Sequence, residues 1–164
     1  MQTFLDFKEL LQTSDDIVAN ELSLCYKRSV ELMGPQYKKL NNSRTVSNLL
    51  RQIWEKDQIE IRESFYLLCF STGLDLLGFQ KISEGGLDAV LVDFRILFSI
   101  ALLSRASSIV VAHNHPSGTC HPSEMDRTLT KRIVEAGGLL DIRLNDHIIL
   151  TETSYYSFRD EGLL

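Results

Sequence analysis

The sequence is short of pairable cysteines, of basic clusters and of long apolar runs, and each shortage weighs against a class of protein. Cys25, Cys69 and Cys120 are odd in number and widely spaced, with no C-x-x-C pair. Neither a disulfide framework nor a thiolate zinc site is expected from them, and a reducing cytoplasm fits. The 17 lysines and arginines are scattered and the formal net charge is -5, whereas salt-dependent nucleic-acid binding usually leaves a basic stripe. No apolar stretch approaches the ~20 residues that cross a bilayer, so no membrane association is expected. The opening "MQTFLDFKELL" lacks the basic-then-apolar order of a signal peptide. Internal repeats and low-complexity segments are also missing. What remains is ordinary globular composition, with 44% hydrophobic and 24% charged residues in 164, enough for a single core with room for a pocket.

Residues 1–40 are mixed in character and broken by Gly34-Pro35, and are read as an N-terminal extension of unknown role. Residues 41–164 read as one α/β domain with a mixed sheet flanked by helices. From Ser43, "SRTVSNLLRQIWEKD" places Val46, Leu49, Leu50, Ile53 and Trp54 at helical spacing behind a serine cap. "IEIRESFYLLCF" alternates so that Ile59, Ile61, Glu63, Phe65, Leu67 and Cys69 share one strand face. "STGLDLLGF" predicts a turn into a second strand, and "KISEGGLDAVLV" a further strand interrupted at Gly85-Gly86. Asp93 caps a buried helix, and "SSIVVAH" is a strand buried on both faces. After Pro122-Ser123, Met125, Leu129, Ile133 and Ala136 repeat helically until Gly137-Gly138 stops the helix. "LLDIRLNDHIIL" and "YYSF" close the domain as strands.

The chemistry concentrates in "VVAHNHPSGTCHPSEMD", residues 110–126. His113 and His115 stand at the carboxyl end of the buried strand, where α/β domains commonly bind their ligands. Asp126 begins the next helix, so three donors can converge on one ion. Two imidazoles and one carboxylate suit Zn²⁺ and leave a fourth position for water. The plainer reading makes the histidines loop residues and Ser123-x-x-Asp126 a helix capping box. Glu63 is the second feature: a carboxylate in an apolar row is poorly solvated, and desolvation raises its pKa toward that of a general base. Its alternatives are a solvated strand edge or a core arginine partner.

The pattern of Glu63, then His113-x-His115-Pro116, then Ser123-x-x-Asp126 resembles the JAMM signature of JAB/MPN-type zinc metalloproteases. "AHNHPSG", "EAGGLLDIRLNDHIIL" and "YYSFRDEGLL" look like the bacterial RadC branch, over about residues 43–164. The resemblance implies a JAB/MPN-like fold, related to that of cytidine deaminases, although the H-x-E and P-C-x-x-C segments of the deaminases themselves are absent. It implies that His113, His115 and Asp126 hold Zn²⁺, that Glu63 is the general base, and that Ser123 donates a hydrogen bond to the oxyanion. The activity implied is hydrolysis of a peptide or isopeptide bond, on a peptide or protein tail, by metal-activated water. The alternatives are a nucleic-acid-binding or nuclease accessory of DNA repair or mobile elements, which clustering of Arg44, Arg51, Lys56 and Arg62 would favour, and a non-catalytic scaffold. Typical RadC proteins carry an N-terminal helix-hairpin-helix segment whose glycine-rich hairpins are not found in residues 1–40. Cys120 and His121 are local departures, read as loop residues in preference to ligands. His147 is read as a structural, hydrogen-bonded histidine in preference to a support for a ligand, and Tyr155 and Tyr156 as packing the closing strand.

Overall fold

A computed structural model describes residues 40–85 and 91–164; the expectations for residues 1–39 and for 86–90 lie outside the described residues. Helix α1 (Ser43–Ile53) is followed by a 3-10 turn at Lys56–Gln58, then by strands β1 (Ser64–Phe70) and β2 (Leu76–Glu84). Helix α2 (Phe94–Leu103), strand β3 (Ser108–Asn114), helix α3 (Glu124–Leu139) and strands β4 (Arg143–Leu150) and β5 (Tyr155–Ser157) complete the order. The five strands form one mixed sheet, β2-β1-β3-β4-β5. Only β3 and β4 run parallel, because α3 between them is the crossover a parallel pair requires.

The two-residue alternation of strands divides the core. Tyr66, Leu68, Phe70, Val110 and Ala112 face one side and pack with Leu49, Leu50 and Trp54 of the α1 region. Phe65, Leu67, Ile109 and Val111 face the other and pack with Leu97 and Ala101 of α2 and Ile133 of α3. Every residue of β1 and β3 is therefore buried, as the continuous apolar run in β3 requires. His113 follows Ile109 and Val111 at alternate positions and so inherits the α2–α3 side of the sheet.

Four local expectations change. The side chain that caps α1 is Asn42, whose Oδ1 accepts from Thr45 N at 2.8 Å; Ser43 is already helical. The β1 strand begins at Ser64, and the residues before it form turns with Ile61 exposed, so Glu63 is buried at a strand entrance and not in an apolar row. Residues 76–84 are one strand, which merges two expected ones. Finally, α3 runs through Gly137 and Gly138 to Leu139. The left-handed residue that ends it is Asp141, at φ 55°, one of the few residue types besides glycine that enter that region readily.

Gly137 has a packing reason. A Cβ there would collide with the Ile142 carbonyl oxygen, which passes against the helix, and would also meet the Phe98 ring. Around Gly138 such an atom meets nothing. We expect Gly137→Ala to destabilise the fold by roughly 1–3 kcal/mol through overpacking, and Gly138→Ala to stabilise it by up to about 1 kcal/mol through helix propensity. Urea unfolding of the two variants checks this, and equal effects would contradict it.

Candidate metal centre

The β3–α3 connection brings the charged and ligating groups together. His113 is the penultimate residue of β3, His115 lies one residue past its end, and Asp126 is in the first turn of α3. One ligand atom from each of the three lies within 4.8 Å of the others. His113 Nε2 stands 2.9 Å from His115 Nε2 and 3.1 Å from Asp126 Oδ1, and His115 Nε2 is 3.5 Å from Asp126 Oδ2. His113 is 1% exposed and Asp126 8%, so water does not dilute their interaction.

Asp126 both joins the converging group and completes the capping box. Ser123 Oγ accepts from Asp126 N at 3.1 Å, while Ser123 N and Oγ each donate to Asp126 Oδ2 at 2.7 Å. That reciprocal pair satisfies the orphan donors of the α3 N-terminus. It also locks the carboxylate so that Oδ1 faces His113. Burial pushes the Asp126 pKa up, but the adjoining His113 and His115 outweigh it and hold the carboxyl far below the usual carboxylate range.

The donor set fits a divalent cation. His115 Nδ1 lies 2.6 Å from the Thr119 carbonyl oxygen, which can only accept, so Nδ1 carries the hydrogen and Nε2 is left with its lone pair. That lone pair points toward Asp126 and the His113 ring. A cluster of acceptors at hydrogen-bond distance calls for a cation. Contact with Asp126 accordingly raises the pKa of His115 against the opposing effect of burial, since a proton is one cation the cluster can hold. Two imidazole nitrogens and one carboxylate oxygen form a donor set suited to Zn²⁺.

Glu63 reaches the same place from another part of the chain. The antiparallel β1–β3 register pairs Phe65 with His113, and continuing it by two residues sets Glu63 level with His115. Glu63 is 7% exposed and lines one cavity of about 570 Å3 with His113, His115, Ser123 and Asp126. Leu91, Phe94, Met125 and Leu129 contribute apolar surface to the same lining. Arg132 also lines the cavity, with its guanidinium 4.4 Å from the centre of the Phe94 ring.

Asn114 holds this arrangement, a role that no sequence spacing pointed to. Fully buried between the two histidines, it accepts from Ser64 N at 2.8 Å and donates to the Ile59 and Arg62 carbonyls at 2.7 and 2.9 Å. Its partners bracket Glu63 on both sides. A buried amide satisfied by backbone groups ties the segment carrying the carboxylate to the strand carrying the histidines.

His147, within β4, is buried and hydrogen-bonded, but its Nε2 lies 2.9 Å from His113 Nδ1, so the structural reading and the support of a candidate ligand are not alternatives. Burial is the main reason its pKa falls well below the ordinary imidazole value, and neighbouring His113 adds to the fall. Its ring stacks on Phe158 at 4.8 Å and meets the edge of Phe65 at 6.0 Å. Asp146 secures the strap carrying Phe158, accepting from Ser157 Oγ and Arg159 N. Tyr155 packs against the α1-side core and Tyr156 against Phe158 at 5.6 Å. Cys120 Sγ is 3.5 Å from Thr151 Oγ1, and neither it nor exposed His121 belongs to the converging group.

With fold and cluster in place, comparison with known proteins is decisive on one point. Residues 40–163 match the family model described as the RadC-like JAB domain. The chain belongs to that family. The RadC-like JAB domain here is 41% identical over 101 residues to a UPF0758 protein of Flavobacterium johnsoniae, covering 62% of this chain and 44% of the relative. It is 37% identical over 126 residues to one from Alkaliphilus oremlandii, covering 77% and 53%. The chain thus spans about half the length of the curated relatives it matches. No helix among the described residues is long and apolar enough to cross a membrane.

The basic residues that would favour a nucleic-acid face are partly engaged elsewhere. Arg51 donates to the Glu152 and Ser154 carbonyls at 2.7 Å each, and Arg62 pairs with Glu84 at 2.5 Å.

Proposed function

We propose that this RadC-like JAB domain is a zinc-dependent hydrolase that cleaves a peptide or isopeptide bond. The observation that carries the reading is the sharing of one cavity by the His113–His115–Asp126 cluster and the buried Glu63 carboxylate. His113, His115 and Asp126 would hold the ion. Zinc, when bound, supplies Lewis acidity that makes water a usable nucleophile near neutral pH.

The chain's own groups perform the proton transfers. Glu63 accepts a proton from the attacking water and returns it to the leaving nitrogen, so that no free amide anion is expelled. Ser123 turns its hydroxyl from Asp126 Oδ2 toward the oxyanion of the tetrahedral intermediate, an interaction of the kind that contributes about 10²-fold or more to rate. The apolar surface of Leu91, Phe94, Met125 and Leu129 receives an apolar side chain flanking the scissile bond and excludes water from it.

Two measurements test the reading together. Metal analysis of the purified protein is expected to find about one zinc per chain. Mass spectrometry after incubation with mixed peptides and isopeptide-linked conjugates is expected to show cleavage that chelator abolishes and zinc restores. Zinc binding accompanied by cleavage of DNA or RNA, with every peptide and conjugate intact, would replace this function with that of a nuclease.

A further inference from the structure

Behind the cluster runs a buried chain of hydrogen bonds whose polarity can be read from its end. Thr130 Oγ1 lies 2.6 Å from the Asp126 carbonyl oxygen, one helical turn earlier in α3. A carbonyl oxygen only accepts, and two oxygens that close need a hydrogen between them, so the single hydroxyl hydrogen of Thr130 is committed there. Thr130 Oγ1 is also 2.6 Å from His147 Nδ1 and has only acceptor capacity left, so His147 carries its hydrogen on Nδ1. A neutral imidazole with hydrogen on Nδ1 presents a lone pair at Nε2. His147 Nε2 is 2.9 Å from His113 Nδ1, which must then be the donor. At the far end a neutral His113 then carries no hydrogen on Nε2, the nitrogen that faces Asp126 Oδ1 at 3.1 Å.

The chain is closed to water: His113 is 1% exposed, Thr130 3% and His147 0%. Phe158 stacks on the His147 ring, so the ring cannot flip to exchange its two nitrogens without breaking that contact. The sequence starts at the backbone of one candidate ligand and ends at the imidazole of another. It therefore couples α3, β4 and β3 through a single donor direction.

We propose that Thr130 and His147 are positioning residues that fix His113 in the tautomer whose Nε2 lone pair is turned into the ligand cluster, making the site receptive to a divalent cation before one arrives. The inference rests on the metal reading of that cluster. Ordinarily a carboxylate or carbonyl orients a ligating histidine; here a second histidine does so and must itself be oriented, which is the task of the Thr130 hydroxyl. Without that hydroxyl His147 can place its hydrogen on Nε2 instead, which drives the His113 hydrogen onto the ligating nitrogen.

Thr130→Val keeps the shape and removes the hydroxyl. Zinc affinity, measured by competition with a chromophoric chelator, is expected to fall about 10- to 100-fold, and Thr130→Ser to stay near the parent. Independently, long-range proton–nitrogen spectra of the metal-free full chain are expected to show both His113 and His147 with hydrogen on Nδ1. Those spectra need no variant, so the test survives a Thr130→Val protein that does not fold. A parent chain with the His113 hydrogen on Nε2 overturns the proposal. So does a folded Thr130→Val protein that binds zinc as tightly as a zinc-binding parent. A parent with both hydrogens on Nδ1 that takes up no zinc would instead overturn the metal reading, leaving the hydrogen-bond direction intact.

Discussion

Glu63→Gln is expected to retain zinc and to lose peptide-bond hydrolysis by roughly 10²- to 10⁴-fold. The substitution is isosteric, so the entrance to β1 and the Asn114 contacts that bracket it have no reason to move. The amide lacks the one capacity the reaction needs, which is to accept a proton from water and give it back to the departing nitrogen. Because Glu63 is not among the three converging donors, zinc affinity and activity should separate: the first within a few-fold of the parent, the second nearly gone. Kinetics on whichever peptide the parent cleaves, with parallel metal analysis, measures both. A variant of parental activity would remove Glu63 from the mechanism, and joint loss of zinc and activity would make it a ligand.

The second large effect is expected at Asp126, where two roles share one side chain. Asp126→Asn removes the anionic ligand and turns an amide N–H₂ toward the imidazole lone pairs, which the amide can satisfy itself. The cation then has one fewer anion to bind and a donor in its place. Zinc affinity should fall by more than the about 100-fold expected for loss of an outer partner. The remaining carbonyl oxygen of asparagine can still accept from Ser123, so the cap is partly preserved and folding stability should fall by no more than about 1 kcal/mol. Chelator competition and urea unfolding separate the two. Unchanged zinc affinity with a loss of that small size would mean that Asp126 acts only as a helix cap.

The two roles are compatible for a geometric reason. A carboxylate at the third position of a helix reaches back to the cap with one oxygen, leaving the other free to face away from the helix axis. In this domain Oδ2 serves Ser123 and Oδ1 faces His113. Under the proposed function Asp126 would be a preorganised ligand, because the capping box sets its rotamer.

Much of the site was legible because its parts are local. An H-x-H at the end of an apolar run puts both imidazoles on one side of a strand terminus, and S-x-x-D places a carboxylate in the first turn of a helix; both follow from backbone periodicity. The elements that misled did so where tertiary contacts outweigh propensity. Gly137-Gly138 looked like a stop, yet the helix continues because the Ile142 backbone crosses at Gly137 and requires a residue without a side chain. The alternation from Ile59 to Cys69 looked like one strand, yet Asn114 claims the Ile59 and Arg62 carbonyls and holds that stretch in turns. His147 was placed as structural because nothing in its own neighbourhood names its partner.

By itself the sequence determined the α/β class, the alternation that gives the sheet two buried faces, and three donors grouped around one strand-to-helix connection. Only the tertiary structure decided that Glu63 lines one cavity with those donors, that Asn114 ties the backbone on either side of it to β3, and that Thr130 and His147 form a hydrogen-bonded chain to His113. The difference lies in range. Strand and helix periods act between near neighbours and leave a pattern in the order of residues, whereas a register between β1 and β3, or a hydrogen bond from α3 to β4, joins positions whose separation along the chain has no period to read.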